Sequence, residues 1–462
     1  MLSLPHMVLP ADIQVILDDV RSLLGDLYLV GGSLREVLQN SEISNDINLL
    51  VSTPLSECRR RLSDKGYAIA IPGHKHNSLV VPLKGQEKPL SLDIASFRHR
   101  PSKPPSLEED LLHRDFTINA MAWPWPRGPL VDPFHGLDDL NRLRVHLVDG
   151  VNTLQADPLR ALRFFRFAIR LAANPDPEDC QLCEEVLPEG ISPERLRGEL
   201  DRILSLPLRD EVPREWVLRL FRSNLGRHIL PELGVLDRVR WTCEKEESVF
   251  DHTLRVTLAL TPPSGREEAS LLDLRWAALL HEIGRAMEDP SFRGDLSLAS
   301  SLLEDTLRLG GVILERLKFS KRRQKRILSM IQYADSNFQP TDRAIRRMIG
   351  LALPVEGMLR LLRARNHAAP NSTPEEKRKL DEEYEKALRR CLSLRSSPRL
   401  MQPRDLLLSG GEILDMVRLP AGVWMGNLQK ELISWVLEDP ARNNRDSLER
   451  KVREWMTREE NF

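Results

Sequence analysis

Residues 27–50 read LYLVGGSLREVLQNSEISNDINLL, and the order of patterns in this stretch predicts how the chain begins to fold. The apolar run Tyr28–Val30 predicts a strand, the pair Gly31-Gly32 a tight turn, and the residues after it a helix. A second strand begins at Asp46-Ile-Asn48. Because side chains alternate along a strand, Asp46 and Asn48 lie on the same face. That face carries one full negative charge, since its second polar position is an amide.

The runs that are typical of strands all occur early in the chain. From about Asn141 onward the apolar pattern is helical. The sequence therefore predicts an α+β protein with a small mixed head and a long helical remainder. Ser106 with Glu109, and Ser192 with Pro193, mark two predicted helix starts. The predicted strands are Tyr28–Val30, Ile47–Val51, Tyr67–Ile71, Leu79–Leu83 and Leu90–Phe97.

Length and composition limit the possible classes of protein. A chain of 462 residues exceeds what one hydrophobic core supports, so we expect several domains. The formal net charge of −1 neither supports nor excludes a nucleic-acid partner, and the spacing of the five cysteines predicts neither a disulfide framework nor a four-thiolate zinc site. The first residues do not resemble a secretory leader, and no apolar run reaches ~18 residues. We therefore expect a soluble, cytoplasmic protein that does not bind a membrane.

The glycine pair is followed by a set of candidate oxygen ligands. Glycines between a strand and a helix let the backbone approach a phosphate, and the helix N-terminus supplies unpaired N–H groups. A plain strand-to-helix turn is the alternative for this pair taken alone. Asp46, Asn48 and Asp93, the last on a later predicted strand, could together hold a divalent cation that bridges phosphates.

Two later segments carry charged side chains in a regular order. Residues 114–122 read RDFTINAMA, and residues 157–166 read DPLRALRFFR. On a helix, the charged residues of the second segment would form a ridge with apolar residues opposite. Such a ridge can offer an acceptor and a forked donor to a base edge, and further guanidinium groups to phosphate oxygens. An exposed, salt-bridged helix face is the alternative. The residues of the ridge are Asp157, Arg160, Arg163 and Arg166.

Seven motifs follow one another over roughly residues 27–205, namely LYLVGGSLRE, DIN, DIASFR, HRDFTINAMA, DPFHGLDDLNRLRV, DPLRALRFFRFAIRL and ISPERLRGEL. Their order and spacing resemble those of the class II tRNA nucleotidyltransferases, which comprise the CCA-adding enzymes and the bacterial poly(A) polymerases. The resemblance implies a head of the DNA polymerase beta palm type, followed by helical neck, body and tail domains. On this basis we expect a nucleotidyltransferase head at 1–145, a neck with the base-reading helix at 146–206, a body at 207–345 and an RNA-binding tail at 346–462.

The resemblance also implies roles for individual residues. The implied catalytic residues are Asp46, Asn48 and Asp93, of which Asp46 and Asn48 would ligate Mg²⁺. Asp157 and Arg160 would read the Watson–Crick edge of CTP or ATP, and the implied RNA substrate is tRNA. The residues implied to bind the nucleotide are Gly31, Gly32, Arg35, Arg114, Asp115, Asn119, Asp157, Arg160, Arg163 and Arg166.

The chain departs from the family pattern in three ways. Asn48 stands where the family has Asp, and the loss of a charge beside a divalent ion predicts a weak enzyme or a non-enzyme unless Asp93 compensates. Glu36 replaces the usual Asp, and Ala156 replaces the usual Glu. The stretch 99–105 is shorter than in CCA-adding members. Because a short stretch is associated in the family with enzymes that stop after CC, we expect CC addition, with CCA addition as the alternative.

Two segments of the helical part are similar to the opening motifs of HD phosphohydrolase domains. Residues 250–256 read FDHTLRV, and residues 279–285 read LLHEIGR. In this pattern Glu282 is one methylene longer than the usual Asp, and Arg replaces the Lys after the glycine. We expect a degenerate helical scaffold, with residual phosphodiesterase or phosphatase activity as the alternative. The candidate metal ligands are His252, His281, Glu282 and Asp335.

Residues 318–326 hold six positive charges in nine positions. A solvated helix face would explain such a run. Because the whole chain has a net charge of −1, this block is also the best candidate for contact with an RNA backbone, and binding through it should depend strongly on salt. The six residues are Lys318, Lys321, Arg322, Arg323, Lys325 and Arg326.

These observations lead to one expected function and two alternatives. We expect a tRNA 3′-end nucleotidyltransferase that uses CTP, or CTP and ATP, in tRNA processing. The first alternative is a poly(A) polymerase that uses ATP. The second is an RNA-binding paralogue whose catalysis is weakened because Asn48 replaces the second metal-binding Asp.

Overall fold

The computed structural model describes residues 9–40, 46–70, 78–83, 90–98, 105–174, 176–208, 210–242, 245–260, 268–293, 301–334, 341–350, 353–368, 373–396, 405–420 and 422–457. The chain divides into two compact units. The first comprises Met1–Arg195 and Asp210–Ile229, and the second comprises Leu196–Arg209 and Leu230–Phe462. The finer division into four domains stays a prediction. No helix in the described part of the chain is long and apolar enough to cross a membrane.

The strands of the first unit are β1 (Leu27–Val30), β2 (Asp46–Val51), β3 (Ser78–Leu83), β4 (Leu90–Ser96) and β5 (Ala122–Pro124), and those of the second are β6 (Arg240–Thr242) and β7 (Lys245–Ser248). The first five form one sheet in the order β3-β4-β2-β1-β5. Strands β2 and β4 are parallel, and their register places Asn48 beside Asp93 and Asp46 beside Ser91. Paired residues of neighbouring strands lie on the same face, so these four side chains share it.

Helices connect the strands and form the rest of both units. In the described part of the chain, 3₁₀ helices lie at Thr117–Asn119, Ile283–Glu288 and Pro440–Arg442. The α-helices are α1 (Ala11–Leu24), α2 (Gly31–Asn40), α3 (Leu55–Asp64), α4 (Leu107–Leu112), α5 (Gly136–Asn141), α6 (Gly150–Ala156), α7 (Leu159–Leu171), α8 (Pro177–Glu185), α9 (Pro193–Ser205), α10 (Glu211–Arg222), α11 (Asn224–Ile229), α12 (Pro231–Val235), α13 (Val249–Ala259), α14 (Glu268–Leu280), α15 (Pro290–Arg293), α16 (Leu302–Arg316), α17 (Lys321–Tyr333), α18 (Asp342–Gly350), α19 (Val355–Ala368), α20 (Pro374–Ser396), α21 (Gly410–Val417), α22 (Val423–Glu438) and α23 (Arg445–Met456).

Alternation along β2 separates the core of the head from its polar face. Ile47 and Leu49 are buried, whereas Asp46 is exposed and Asn48 is half-buried. The apolar positions drive the strand into the core because burying them removes hydrocarbon surface from water. The polar positions are thereby directed to the opposite face of the sheet.

Helix α7 has the buried apolar side that its sequence predicts, but it begins later than the predicted ridge. Leu159, Leu162, Phe165 and Ile169 are all buried. Asp157 precedes the helix and has an extended backbone, with φ −156° and ψ 101°. The physical reason is the proline that follows it, because the ring of a proline disfavours helical geometry in the residue before it.

Four of the five predicted strands are present, and three observed strands were not predicted. In the region predicted as Tyr67–Ile71, Ala70 forms a single bridge to Val80, and Ile71 lies outside the described residues. Strand β5 escaped prediction because it is three residues long and ends in Pro124, which is tolerated at the edge of the sheet. The hairpin β6–β7 interrupts a region that the sequence pattern describes as helical.

A buried arginine joins three segments of the second unit. Arg275 is fully buried and donates hydrogen bonds to the carbonyl oxygens of Leu204, Leu206 and Leu260, at 2.6 to 3.1 Å. Burial lowers the pKa of this guanidinium to about 10, so it stays charged at neutral pH. It satisfies carbonyl groups where α9 and α13 end, which would otherwise be left without donors.

Gly136 allows α5 to pack directly against the Thr117–Asn119 turn, and this contact generates a stability prediction. A Cβ atom at Gly136 would lie 2.1 Å from the backbone oxygen of Thr117. We expect Gly136→Ala to lower the free energy of unfolding by about 1–3 kcal/mol, as overpacking does. Urea denaturation followed by circular dichroism measures this.

Gly198→Ala is the matched control for this substitution. Gly198 lies within α9, and among the described residues no atom outside its chain neighbours and its own helix backbone lies within 4 Å of the position of its Cβ. We expect the control to be neutral or to stabilise by up to ~1 kcal/mol, because alanine favours the helix. Equal stability of the two variants would show that the contact at Gly136 does not position the turn.

Candidate active site

The N-terminus of α2 meets a guanidinium and an amide at one place. Gly31 has φ +61°, in the left-handed region that favours glycine. A Cβ atom there would lie 3.1 Å from Nη1 of Arg114 and 3.6 Å from Oδ1 of Asn48. A Cβ atom at Gly32 would lie 3.3 Å from the same oxygen of Asn48. The N-terminus of a helix and one cationic side chain therefore lie beside the polar face of the sheet, which is an arrangement that binds phosphate.

Ser33 joins α2 to β2 and thereby fixes this arrangement. It is fully buried, and its Oγ donates to the backbone oxygen of Asp46 at 2.8 Å and accepts from the backbone N–H of Asn48 at 2.7 Å. Its own backbone N–H donates to Oδ1 of Asn48 at 3.4 Å. We did not predict a role for Ser33, although it follows the glycine pair directly in the sequence.

The carboxylates around Asn48 fit a divalent cation. One oxygen of Asp93 is buried and has no hydrogen-bond partner among the described residues, as expected of an atom that a cation would bind. Oδ1 of Asp46 accepts from Oγ of Ser91 at 2.5 Å, which orients that carboxylate. Asp46 and Asp93 supply two charges, and the amide of Asn48 offers a neutral oxygen between them, so the donor set is of the type that hard cations prefer.

A buried chain of polar side chains lies behind this face. Arg35 is 3% exposed and donates to Oδ1 of Asn119, and Nδ2 of Asn119 donates to Oδ1 of Asp115 at 2.9 Å. The other oxygen of Asp115 lies 2.6 Å from Nη2 of Arg163. The structure thus brings four of the predicted nucleotide-binding residues together, with Arg35, Asp115 and Asn119 almost fully buried. They lie next to the α2 N-terminus, since a Cβ atom at Gly32 would lie 3.8 Å from Nη2 of Arg35.

The pKa values of these buried side chains are shifted by burial and by neighbouring charges. Burial, and then the nearby charge of Arg170, lower the pKa of Arg35 to about 10, so it remains cationic at neutral pH. Burial raises the pKa of the Asp115 carboxyl, but Arg163 and the amide of Asn119 outweigh burial, so the pKa lies below its usual value. These contacts place the single carboxylate of Asp115 between the guanidinium of Arg163 and the neutral amide of Asn119, which in turn binds Arg35.

Arg114 is oriented by a carboxylate that the sequence interpretation missed. Its Nη2 donates to Oδ2 of Asp110 at 3.2 Å, and Asp110 is 4% exposed. Arg98 also approaches this carboxylate, with its Nε at 3.5 Å. The spacing of four residues between Asp110 and Arg114 is the available sequence signal, since residues so spaced are neighbours on a helical turn.

The two predicted base-reading residues are held by different parts of the chain. Oδ1 of Asp157 accepts from the backbone N–H of Leu159 at 3.2 Å, and its Oδ2 accepts from Nη2 of Arg195 at 2.6 Å. Arg160 donates to the backbone oxygens of His113 at 2.8 Å and Thr153 at 3.2 Å. Both side chains are therefore held in place by protein contacts.

The last arginine of the predicted ridge lies against an aromatic ring. The guanidinium carbon of Arg166 is 4.5 Å from the ring centre of Phe167, and that of Arg35 is 4.7 Å from the same centre. Stacking of this kind restrains a guanidinium group.

Comparison with known proteins identifies the family. Residues 27–146 match the model of the Poly A polymerase head domain. The A-adding tRNA nucleotidyltransferase of Deinococcus radiodurans is 32% identical over 346 residues, which make up 71% of this chain and 75% of that protein. The chain belongs to the class II tRNA nucleotidyltransferase family. Nucleotidyltransferases of this family generally use divalent metal ions.

Two further relatives match this chain over part of their length. The Multifunctional CCA protein of Aliivibrio salmonicida is 31% identical over 282 residues, and that of Shewanella frigidimarina is 30% identical over 278 residues. These matches take up 57% and 56% of this chain, and they span 65% and 63% of the two relatives, which is less than two thirds of their length.

A solved structure confirms the predicted fold class. The crystal structure of the Bacillus stearothermophilus CCA-adding enzyme in complex with CTP superposes with a TM-score of 0.63 and 21% identity, over 98% of this chain and 100% of that chain. The predicted α+β fold, with its polymerase-beta-type head and helical remainder, is therefore that of the family.

The HD-like residues form a buried cluster in the second unit. His252, His281 and Glu282 are all buried, and each offers a ligand atom within 4.8 Å of the others. Burial lowers the pKa of both histidines to about 3, so both are neutral at neutral pH. Asp335, the predicted closing ligand, lies outside the described residues.

Two arginines already pair with the carboxylate of Glu282 in this cluster. Oε2 of Glu282 accepts from Nε of Arg285 at 2.9 Å, and its Oε1 accepts from Nη2 of Arg365 at 3.2 Å. Each oxygen of the carboxylate is therefore already paired with a positive charge, and a metal ion would have to displace a guanidinium group. This pairing supports the prediction of a degenerate scaffold, which stays a prediction.

Two arginines of the basic block 318–326 pair with carboxylates of the second unit. Arg323 is half-buried, with its Nη1 2.8 Å from Oδ2 of Asp201 and its Nε 2.8 Å from Oδ1 of Asp273. Nε of Arg326 lies 3.6 Å from the other oxygen of Asp273. The predicted RNA contact therefore rests mainly on the exposed side chains Lys318, Lys321, Arg322 and Lys325.

The lowered pKa of Asp115 generates a prediction about acid stability. An aspartate whose folded pKa lies below its unfolded value of about 3.9 stabilises the fold fully above that value, and this stabilisation is lost as the pH falls through the folded pKa. We expect Asp115→Asn to lower the free energy of unfolding by about 1–3 kcal/mol at pH 7. The difference from wild type should shrink below about pH 4, as urea denaturation at several pH values will measure.

Asp64→Asn is the control for this pH series. The side chain of Asp64 is 67% exposed and pairs with Arg60 on the surface. We expect the control to change stability by less than ~0.5 kcal/mol at every pH. A difference between wild type and Asp115→Asn that stays constant down to pH 3 would contradict the assignment.

Proposed function

We propose that the protein is a tRNA 3′-end nucleotidyltransferase that transfers CMP from CTP, and AMP from ATP where it completes the CCA end, in tRNA processing. The observation that carries this proposal is the meeting of the α2 N-terminus, Arg114 and the Asp46–Asn48–Asp93 face at one place. The matched relatives and solved structures support it, among them the Thermotoga maritima CCA-adding enzyme complexed with tRNA_CCA. The proposed reaction on tRNA is also consistent with the predicted cytoplasmic location.

Different residues of the chain bind the triphosphate and the base of the nucleotide. The backbone at Gly31 and Gly32 and the guanidinium of Arg114 bind the triphosphate. Asp157 and Arg160 present one acceptor and one forked donor to the base, so protein side chains take the place of a template strand. The 3′-hydroxyl oxygen of the tRNA attacks the α-phosphorus in line, the bond from that phosphorus to the β-phosphate oxygen breaks, and pyrophosphate leaves.

We propose Mg²⁺ as the divalent ion, held by Asp46 and Asp93 with Asn48 as a neutral third ligand. The all-oxygen donor set supports this choice. When bound, the ion activates the attacking hydroxyl and stabilises the charge on the departing pyrophosphate. The hydrogen bonds of Ser91 and Ser33 hold two of these ligands in place before the ion binds.

Two observations favour different nucleotides. The short, proline-rich stretch 99–105 supports CC addition, because a stiff linker restricts rearrangement of the pocket around ATP. The likeness to the A-adding tRNA nucleotidyltransferase of Deinococcus radiodurans supports addition of the terminal A as the second candidate. We keep CC addition as the proposal.

Extension of defined tRNA transcripts tests the function and the choice of nucleotide together. Purified protein is incubated with transcripts that end before CCA, after C and after CC, each with CTP, ATP or both, and the products are resolved at one-nucleotide resolution. We expect extension to CC and no further. Addition of A only to the transcript that ends in CC would support the A-adding candidate. Heterogeneous A-tails would instead indicate a poly(A) polymerase, and tight tRNA binding without extension a paralogue with lost catalysis.

Asn48→Asp tests the metal account of the site. Restoring the carboxylate adds a charge beside the proposed ion, and a gain of even ~3 kcal/mol in the transition state would raise the rate about a hundredfold. We expect faster single-turnover extension and a lower Mg²⁺ concentration at half-maximal rate. An unchanged rate and Mg²⁺ dependence would contradict our account of Asn48. Asn40→Asp, in the same unit but outside the strand, is the control for added charge.

A further inference from the structure

Arg195 lies outside the predicted site but binds one of its reading residues. It occupies the third position of α9, and its Nη2 lies 2.6 Å from Oδ2 of Asp157, 38 residues earlier in the chain. We propose that Arg195 is a positioning residue that fixes the Asp157 carboxylate and so determines which bases the site accepts. This inference rests on the proposed function, because it concerns the same nucleotide site.

The two oxygens of Asp157 are held from opposite directions. Oδ1 accepts from the backbone N–H of Leu159, so it caps the first turn of α7. Oδ2 is bound by Arg195, whose own backbone N–H donates to Oγ of Ser192 at 3.4 Å at the start of α9. Two helix starts therefore determine the plane of one carboxylate. Without Arg195, the Asp157 carboxylate would keep one hydrogen bond to the described residues, at a single oxygen about which the group can turn.

A fixed carboxylate can separate bases by the group at their Watson–Crick edge. Cytosine and adenine carry an exocyclic amino group that donates to an acceptor, whereas uracil and guanine carry a carbonyl oxygen at the corresponding position. An oriented carboxylate accepts from the first pair and repels the second, because two acceptors would face each other without a proton. Oδ2 of Asp157 has a further lone pair for this contact while it is bound to Arg195.

A purely structural role for Arg195 would appear as a loss of stability and not as a change in base selectivity. The pair is partly solvated, with 51% of the Arg195 side chain and 28% of the Asp157 side chain exposed. Pairs of this kind add little to global stability. Loss of Arg195 should therefore change base selectivity while leaving the melting temperature within about 2 °C of wild type.

The experiment compares wild type with Arg195→Ala, Arg195→Lys and the control Glu194→Ala, which alters the exposed neighbour on the same turn. Equilibrium binding of CTP, ATP, UTP and GTP is measured by competition with a fluorescent nucleotide, and incorporation is measured on the tRNA transcripts. We expect Arg195→Ala to bind its correct nucleotide about tenfold more weakly. We also expect its preference for CTP over UTP to fall about tenfold, through KM more than kcat. Arg195→Lys should retain part of the selectivity because it keeps the charge but loses the fork.

The outcomes separate this inference from the proposed function. If wild type and Arg195→Ala select bases equally well, the inference is wrong while the proposed function stands. If wild type binds no nucleotide and extends no tRNA, both are wrong. If Arg195→Ala does not fold, Arg195→Lys decides the question, and full wild-type selectivity in a folded Arg195→Lys together with an unfolded Arg195→Ala would show a structural role and overturn the inference.

Discussion

The head of this protein depends on a largely buried row of contacts between two guanidinium groups, an amide and a carboxylate. Arg35 on α2, Asn119 on the 3₁₀ turn, Asp115 before it and Arg163 on α7 contact one another in sequence. No member of the row could be buried alone, because an unpaired charge or amide loses its hydration without replacement. The row therefore forces the glycine turn, the RDFTINAMA segment and α7 to fold together. This arrangement also places the groups that we propose to bind phosphate.

Hydrogen bonds hold Asn48 in place even though its side chain carries no charge. Asn48 lacks the charge that the family pattern has at this position, yet its backbone and side chain are both fixed by Ser33. Asp93 stands directly beside it on the parallel strand and has a buried oxygen without a hydrogen-bond partner in the described part of the chain. The geometry of the oxygen ligands is thus preserved while their total negative charge is reduced. Whether the head folds is therefore a separate question from how fast the proposed reaction runs.

Much of this architecture can be predicted from local patterns in the sequence. Strand alternation at Asp46 and Asn48, the glycine pair and the apolar side of α7 depend on neighbours close in the chain, so period and propensity are sufficient to predict them. The burial of Arg35 and the contact of Arg195 with Asp157 could not be predicted from spacing, because each depends on which distant segment packs nearby. Sequence patterns also treated 318–326 as one basic surface, whereas the half-buried Arg323 pairs with Asp201 and Asp273 of the second unit. Local periodicity does not reveal which carboxylates a fold will bring to a cation.

Pro158 has a thermodynamic consequence beyond ending one helix and preceding the next. It confines the backbone of Asp157 to extended geometry in the folded and in the unfolded chain. The loss of backbone freedom at this residue is therefore small when the protein folds, and smaller still when a ligand arrives. In the proposed site, the backbone of Asp157 is therefore already restricted before a base binds, so more of the free energy of each hydrogen bond remains to distinguish one base from another.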